Sequence, residues 1–408
     1  MNTVSRPLCY FDQLYNVSPT IVCISVSIDD PNQIDSTVSS VIQKVVGFYL
    51  KIHENSLVHV ESDPIIHQVP EEIQSLDEAN VWLKNELFPD FSQRLASIAK
   101  RRDMISLCVA HNCADGVFMS QLFAALGDHN SKFCNPFPTS VYEVFAEKLE
   151  NHEECISPST HDPNVTRFIS KTMNACDSSS EISFMIPLTD LQSFNFEKNG
   201  LVKNTEHIWA ALILAASLFN ENLELKGIST AINMRRMLET KNDWNIGNCV
   251  ASLVPYPSNV NETNTLIEIT DSMRQNFESQ ISNGTVFGHA TLLKKLFSGG
   301  DLNLSAPPPG LSIEMSSIGI FKNSGIFNDV RFLVTSKNFK IKGATSFISY
   351  TVLTDKHKEF HGQFFYDSER LTPIEANQIV KYIQIALTKV PLETRFIDAL
   401  QIIRSINI

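Results

Sequence analysis

AHNCADGVF, residues Ala110 to Phe118, decides how the rest of this 408-residue chain is read. It follows Met104 to Ala110 (MISLCVA), a short continuous apolar run that predicts a buried strand. From Asp115 to Leu126 the pattern turns helical, with Val117, Phe118, Leu122, Phe123 and Leu126 on the inward face. His111 therefore stands where a strand ends, Asp115 where a helix begins, and Gly116 permits a tight approach beside them. An imidazole fixed at a strand's C-terminal edge, with its ordinary pKa near neutrality, is suited to general-base work. A second His-x-x-x-Asp, His59 to Asp63, runs into Pro64 with no glycine and no following helix. Only the His111 copy has a setting that would hold the pair.

Working outward, Thr20 to Ile28 (TIVCISVSI) reads as a strand, being rich in β-branched residues. Ser36-Thr37-Val38 opens a helix with Val41, Ile42, Val45, Val46 and Tyr49 at helical spacing, and Leu57 to Val60 is a second strand before a loop over Asp63 to Glu71. Between Asn151 and Glu181 the composition shifts to Ser, Thr, Asn, Asp and Pro, which marks a link between two halves. Phe168, Ile169 and Met173 within it read as a docked helix. The second half offers a helix over Glu206 to Phe219, a strand over Gly227 to Asn233 and a helix over Asn264 to Ser282. Strands are expected over Thr345 to Leu353 and Phe360 to Tyr366. Thr372 and Pro373 cap the final helix, which is expected to run to about Leu387. The alternation predicts an α/β chain with mixed sheets, in two lobes of residues 1–165 and 166–408.

Composition removes several classes. With 43% hydrophobic and 19% charged residues the chain can bury a sizeable core. Asp plus Glu outnumber Lys plus Arg, 45 to 33, for a net charge of −12, and no basic stripe exists to meet phosphates, so nucleic-acid binding is not expected. The longest nearly apolar run, Ile208 to Phe219, falls short of the ~20 residues of a membrane span. The opening MNTVSRPLCYFDQ has no apolar stretch of signal-peptide type. Eight cysteines without paired spacing read as reduced thiols. The expectation is a cytoplasmic monomer. Cys108, His111 and Cys113 lack the second pair that a zinc site needs, so no metal is expected. There is no phosphate-binding loop of G-x-x-x-x-G-K-[ST] type and no G-x-S-x-G elbow.

A second stretch joins the first: AINMRRML, Ala231 to Leu238, followed by IGNCV, Ile246 to Val250. Arg235 ends an apolar strand pattern, where an unpaired guanidinium is expensive, so an acidic partner is expected. Together the two stretches resemble the CoA-dependent acyltransferase superfamily with the chloramphenicol acetyltransferase-like fold, nearest its alcohol O-acetyltransferase and condensation-domain branches. His111 to Gly116 matches the family's HxxxDG, Asn233-Met234-Arg235 its N-x-R, and Gly247-Asn248 its later G-N pair. Ser316-Ser317-Ile318-Gly319 partly matches S-N-x-G, with Ser317 at the Asn position. The D-F-G-W-G segment of the plant-type branch is absent.

The resemblance implies two lobes with an active-site channel between them, and transfer of an acyl group, acetyl by expectation, from acyl-CoA to an alcohol acceptor. His111 would be the general base, with Asp115, Gly116 and Arg235 supporting it and Ser316 and Ser317 as oxyanion or CoA contacts. Acyl-CoA would be co-substrate, with no bound cofactor. The alternatives are amide formation on an amine or from a carrier-protein thioester, and a non-catalytic relative that acts as a binding protein.

Overall fold

A computed structural model describes residues 5–127, 131, 137–152, 161–170, 179–238, 246–300, 306–322, 325–336 and 343–406. Helices and strands alternate along the chain in an α/β architecture of two lobes with several sheets. One sheet has five strands in the order Phe327–Ser336, Thr20–Ile28, Met104–Ala110, Ala96–Arg101, Ile66–Gln68. The largest of the four sheets among the described residues runs Val250–Leu253, Ser229–Asn233, Leu311–Lys322, Ala344–Leu353, Lys358–Asp367, Ser179–Pro187, with Arg167–Phe168 beside Leu311–Lys322. The other two are small, one of Ser5–Pro7, Ser56–His59 and Leu50–His53, the other of Phe194–Asn195 and Gly200–Leu201. Leu311–Lys322 lies parallel to both Ser229–Asn233 and Ala344–Leu353, which makes this sheet mixed.

Three long strands serve both hydrophobic cores, one of them Lys358–Asp367, with Phe364 in one core and Phe365 in the other. Leu311, Ile313 and Met315 pack into the core of the larger sheet, and Ile318 and Phe321 into that of the smaller. Neighbouring Ala344–Leu353 divides likewise, with Phe347 in one core and Ile348, Tyr350 and Val352 in the other. The change falls at an irregularity between Ser317 and Gly319, where Gly319 takes φ +100°. An extra residue there turns the strand without breaking its ladder, and glycine accepts a backbone that side chains disfavour. The chain then leaves the larger sheet, and strand Phe327–Ser336 pairs antiparallel with Thr20–Ile28 in the five-stranded one. By sequence it belongs to residues 166–408; by pairing it completes the N-terminal sheet.

Some expectations are corrected. Phe168 is in a short strand paired with Leu311, not in a helix, because its backbone closes the edge left beside Leu311–Lys322; Met173 lies outside the described residues. The helix Pro373–Lys389 is not the last, since Phe396–Ile406 comes after it and buries Phe396, Leu400 and Ile403. Val45 breaks the helix begun at Ile34, and Val46–Tyr49 is a 3-10 turn. The loop after Val60 contains the short strand Ile66–Gln68. Helices Tyr10–Val17 and Leu76–Glu86 and strand Ala96–Arg101 add to the elements expected from the sequence. Helix Asn204–Asn220 is buried from Glu206 to Leu218, which places it in the core. Among the described residues no helix is long and apolar enough to cross a membrane.

Candidate active site

All seven residues of Met104–Ala110 are buried, so the strand's position is fixed by packing on both faces. Its last pairing is continued by His111, whose N–H donates to the Thr20 carbonyl at 2.9 Å. The chain then turns through the Cys113 N–H to Ala110 carbonyl bond, and Asp115 caps helix Gly116–Leu126 by accepting from the Phe118 N–H at 2.9 Å. A side-chain acceptor at this position satisfies one of the helix's unpaired donors.

Asp115 has a second task. Its other oxygen accepts from the Arg235 guanidinium at 2.6 Å and from the Cys249 N–H at 3.1 Å. Arg235 stands on the 3-10 turn Met234–Met237 that succeeds strand Ser229–Asn233, and the Asn233 side chain caps that turn at the Arg235 N–H. The guanidinium also donates to the Ile246 and Gly247 carbonyls, at 2.6 and 3.2 Å. Asp115 is 1% and Arg235 4% exposed. A charge pair this deep is tolerable because hydrogen bonds to neighbouring backbone groups supplement the Coulombic attraction. The ion pair ties the loop after His111 to the segment carrying Gly247 and Asn248.

Two glycines let the backbones meet. A Cβ on Gly116 would stand 2.4 Å from Cδ1 and 2.8 Å from Cγ2 of Ile318. A Cβ on Gly247 would stand 2.7 Å from both the Asn112 carbonyl oxygen and the Cys113 Cα. The HxxxDG loop is thus wedged between strand Leu311–Lys322 and the Gly247 turn.

This packing surrounds a cavity of about 960 Å³ lined by His111, Asp115 and Gly116 from one side and Ser316, Ser317 and Ile318 from another. It brings together every site residue expected from the sequence except Arg235, which lies behind Asp115. The His111 ring is half-buried, stacked on Tyr15 with centroids 4.6 Å apart and planes 4° from parallel. Its Nδ1 lies 3.0 Å from the Asn248 side-chain amide. Burial pushes the His111 pKa below its ordinary 6.5, against the pull of the Asp115 charge and a hydrogen bond with its own backbone. The ring is therefore neutral at pH 7, with a lone pair to offer. Burial raises the Tyr15 phenol to about 12, against a hydrogen bond from Asn248.

Sequence reasoning missed Tyr15, which arrives on helix Tyr10–Val17; the aromatic and apolar residues at Tyr10, Phe11, Leu14 and Tyr15 were the available signal. For Asn248 the sequence offers only its place in a Gly-Asn pair. Ser349, fully buried with its hydroxyl unpartnered, also lines the cavity, and nothing in the sequence distinguishes it from other strand serines. Cys108 and Cys113 are both buried, and burial holds the Cys113 thiol far above its ordinary range. Elsewhere, among the described residues, Asp329, His357 and Glu359 converge as metal ligands would, but the Arg331 guanidinium already sits against Asp329.

No family model and no curated protein matches the sequence. Solved structures do match over almost its whole length. A mutant of the starter condensation domain of rhizomide synthetase RzmA, in complex with C8-CoA and Leu-SNAC, superposes with a TM-score of 0.63 at 10% identity, covering 96% of each chain. Polyketide synthase associated protein 5 from Mycobacterium tuberculosis gives 0.60 at 11% identity over 93% of this chain and 97% of that one. At these identities the likeness speaks for the fold. The chain has the condensation-domain form of the chloramphenicol acetyltransferase-like fold.

Proposed function

We propose that the protein is an acyltransferase that moves an acyl group from acyl-CoA to a hydroxyl acceptor, with His111 as general base. The observation that carries this reading is a neutral imidazole, stacked on Tyr15 and bonded to Asn248, facing a large cavity at the junction of two cores. An alcohol is a weak nucleophile until its proton leaves. His111 takes that proton as the oxygen attacks the thioester carbonyl carbon; the C–S bond breaks as the tetrahedral intermediate collapses, and the proton passes to the departing thiolate. Positioned proton transfer of this kind contributes about 10²–10⁴ in rate. Ser316, Ser317 and the unpartnered hydroxyl of Ser349 are proposed to meet the developing oxyanion or the thioester. Asp115, Gly116 and Arg235 hold the loop and do not touch the substrate's reacting atoms.

The lining supports a hydroxyl over a charged amine. Among its described residues only Asp115 carries a carboxylate, and both of its oxygens are engaged by Phe118, Arg235 and Cys249. A substrate ammonium would find no counter-charge there. Amide formation is the second reading, since the RzmA domain was solved in complex with Leu-SNAC. Acetyl is the smallest group proposed, and the cavity has room for longer chains.

The test is a panel of acyl-CoAs from acetyl to decanoyl, offered with neutral alcohols, with amines and with Leu-SNAC, read by thiol release and by mass of the product. Acylated alcohol formed by the wild type and lost in His111→Ala is the expected result. Acylated amine alone selects the second reading. Tight acyl-CoA binding with no turnover under any pairing would make the protein a binder and end the proposal.

A further inference from the structure

Helix Tyr10–Val17 packs against both lobes. Phe11, 4% exposed, is part of the core of the larger sheet. The next residue, Asp12, is buried and fastened to the loop after His111. The Asn112 side-chain NH₂ donates to the Asp12 main-chain carbonyl at 3.1 Å and to its Oδ1 at 3.3 Å. The Asp12 Oδ2 accepts from the Arg6 guanidinium at 2.6 Å and from the Cys9 N–H at 2.9 Å, which fixes the carboxylate from its other side. Asn112 directly follows His111, and Tyr15 stands about one helical turn beyond Asp12. The two rings are therefore brought together by their main chains. They meet face to face, with centroids 4.6 Å apart and planes 4° from parallel. Among the described residues Tyr15 is the only ring stacked on the imidazole. His111 lines the cavity and Tyr15 does not, so the phenol ring backs the imidazole on the side away from the substrate.

The main chain of a histidine fixes only where its side chain begins; the two torsions that aim the ring are set by what touches it. The His111 N–H bond to the Thr20 carbonyl anchors the backbone, and the Asn248 amide holds one ring edge at Nδ1. A contact at a single edge lets the ring pivot about it. A flat neighbour lying parallel across a whole face stops that pivot, because turning the imidazole drives one of its edges into the phenol. We infer that Tyr15 is a positioning residue whose stacked ring holds the His111 imidazole in one plane, facing the cavity. For its consequence in rate the inference rests on His111 being the general base; the stack itself does not depend on that reading. The hydroxyl is not what the role needs: burial raises the phenol to about 12, so it keeps its proton at pH 7.

Three variants of the full chain separate the flat ring from the hydroxyl and from bulk. Tyr15→Phe keeps the stack, Tyr15→Leu keeps apolar volume without a plane, and Tyr15→Ala opens the face to water. In ¹³C-histidine-labelled protein, with the His111 signals assigned by their loss in His111→Gln, the wild-type ring protons are expected upfield of an unstacked histidine, shielded by the phenol. Tyr15→Phe should keep that shift and Tyr15→Leu should lose it. Unshielded wild-type protons would overturn the inference whatever the activity. In the acyl-CoA assay kcat should stay within about threefold in Tyr15→Phe and fall about 10- to 100-fold in Tyr15→Leu, as for a misplacement of about 1 Å. KM for acyl-CoA should stay within about threefold, since the phenol binds no substrate. Tyr15→Ala should also move the acid limb of log kcat/KM up toward 6.5, because water reaches the uncovered face while Asp115 and its Arg235 partner stay in place. A smaller folded fraction would lower the rate at every pH alike and leave that midpoint where it was. Wild-type kcat in Tyr15→Leu, an equal loss in Tyr15→Phe, or an unmoved limb in Tyr15→Ala would refute the role. Absence of transfer in the wild type would remove the proposed function, and the ring-proton shifts would still decide whether Tyr15 holds the imidazole.

Discussion

Replacing Asp115 by Asn keeps the side chain's shape and removes its charge at the one place where Arg235 needs it. The oxygen of the new carboxamide can still cap helix Gly116–Leu126 at the Phe118 N–H, but its NH₂ then faces the Arg235 guanidinium and the Cys249 N–H, two donors with which it cannot bond. Arg235, 4% exposed, keeps the Ile246 and Gly247 carbonyls and the Asn233 side-chain oxygen but loses the Asp115 charge. Breaking a buried pair from one side costs about 3–5 kcal/mol. Asp115→Ala loses the cap as well, a further ~1 kcal/mol. Against a total stability of about 5–15 kcal/mol, either loss is large. The assay is urea unfolding of Asp115→Asn, Arg235→Gln and the double variant. Because the second change removes the charge that the first had stranded, the double variant should be much more stable than the sum of the single losses implies, by more than about 1 kcal/mol. Additive losses would refute the brace and with it the view that this pair holds the His111 loop in place.

His111→Ala should abolish transfer and lower stability by roughly 1–3 kcal/mol, the combined worth of one aromatic stack and one hydrogen bond, measured by the same unfolding curves. The acid limb of log kcat/KM should have its midpoint below 6.5, because burial depresses the His111 pKa; a midpoint above 6.5 would contradict that origin. Burial pushes His207 and His361 down to about 4, so both are neutral when folded and charged when unfolded at mildly acid pH. Their contribution to stability is whole above pH 6.5 and is lost as pH falls toward 4, at up to about 1.4 kcal/mol per pH unit each. His207→Gln should flatten that slope. Gly247→Ala should cost about 1–3 kcal/mol and most of the activity, since its new methyl meets main chain at Asn112 and Cys113; an unchanged unfolding midpoint would show that the wedge has slack.

What the sequence made legible was local. The strand–loop–helix around His111 is written in the apolar pattern from Met104 to Leu126, and the demand of Arg235 for a carboxylate comes from the apolar residues preceding it. Asp115 could be matched to that demand because both segments carry motifs of one family. The surroundings of the imidazole were not legible. Tyr15 reaches it from a helix far earlier in the chain, and Asn248 from a turn set by the packing of Gly247 on Asn112. Nor could the division of Leu311–Lys322 between two cores be read, since Met315 and Ile318 are equally apolar on paper. Phe396–Ile406 escapes a reading that ends the chain on the well-capped helix Pro373–Lys389, because its own apolar positions gain meaning only from the core they fill.

Strand Phe327–Ser336 has a consequence during synthesis. Thr20–Ile28, nine residues without a charge, keeps one edge unpaired until its partner leaves the ribosome roughly two hundred residues after the Met104–Ala110 strand on its other side. At about 5–20 residues per second that interval is on the order of 10–40 s. For that time the nascent chain displays an apolar, β-prone edge of the kind that recruits other strands. The lobe that carries His111 is thus completed last at its rim, by a segment from the other half, and its safe production depends on whatever shields that edge in the meantime.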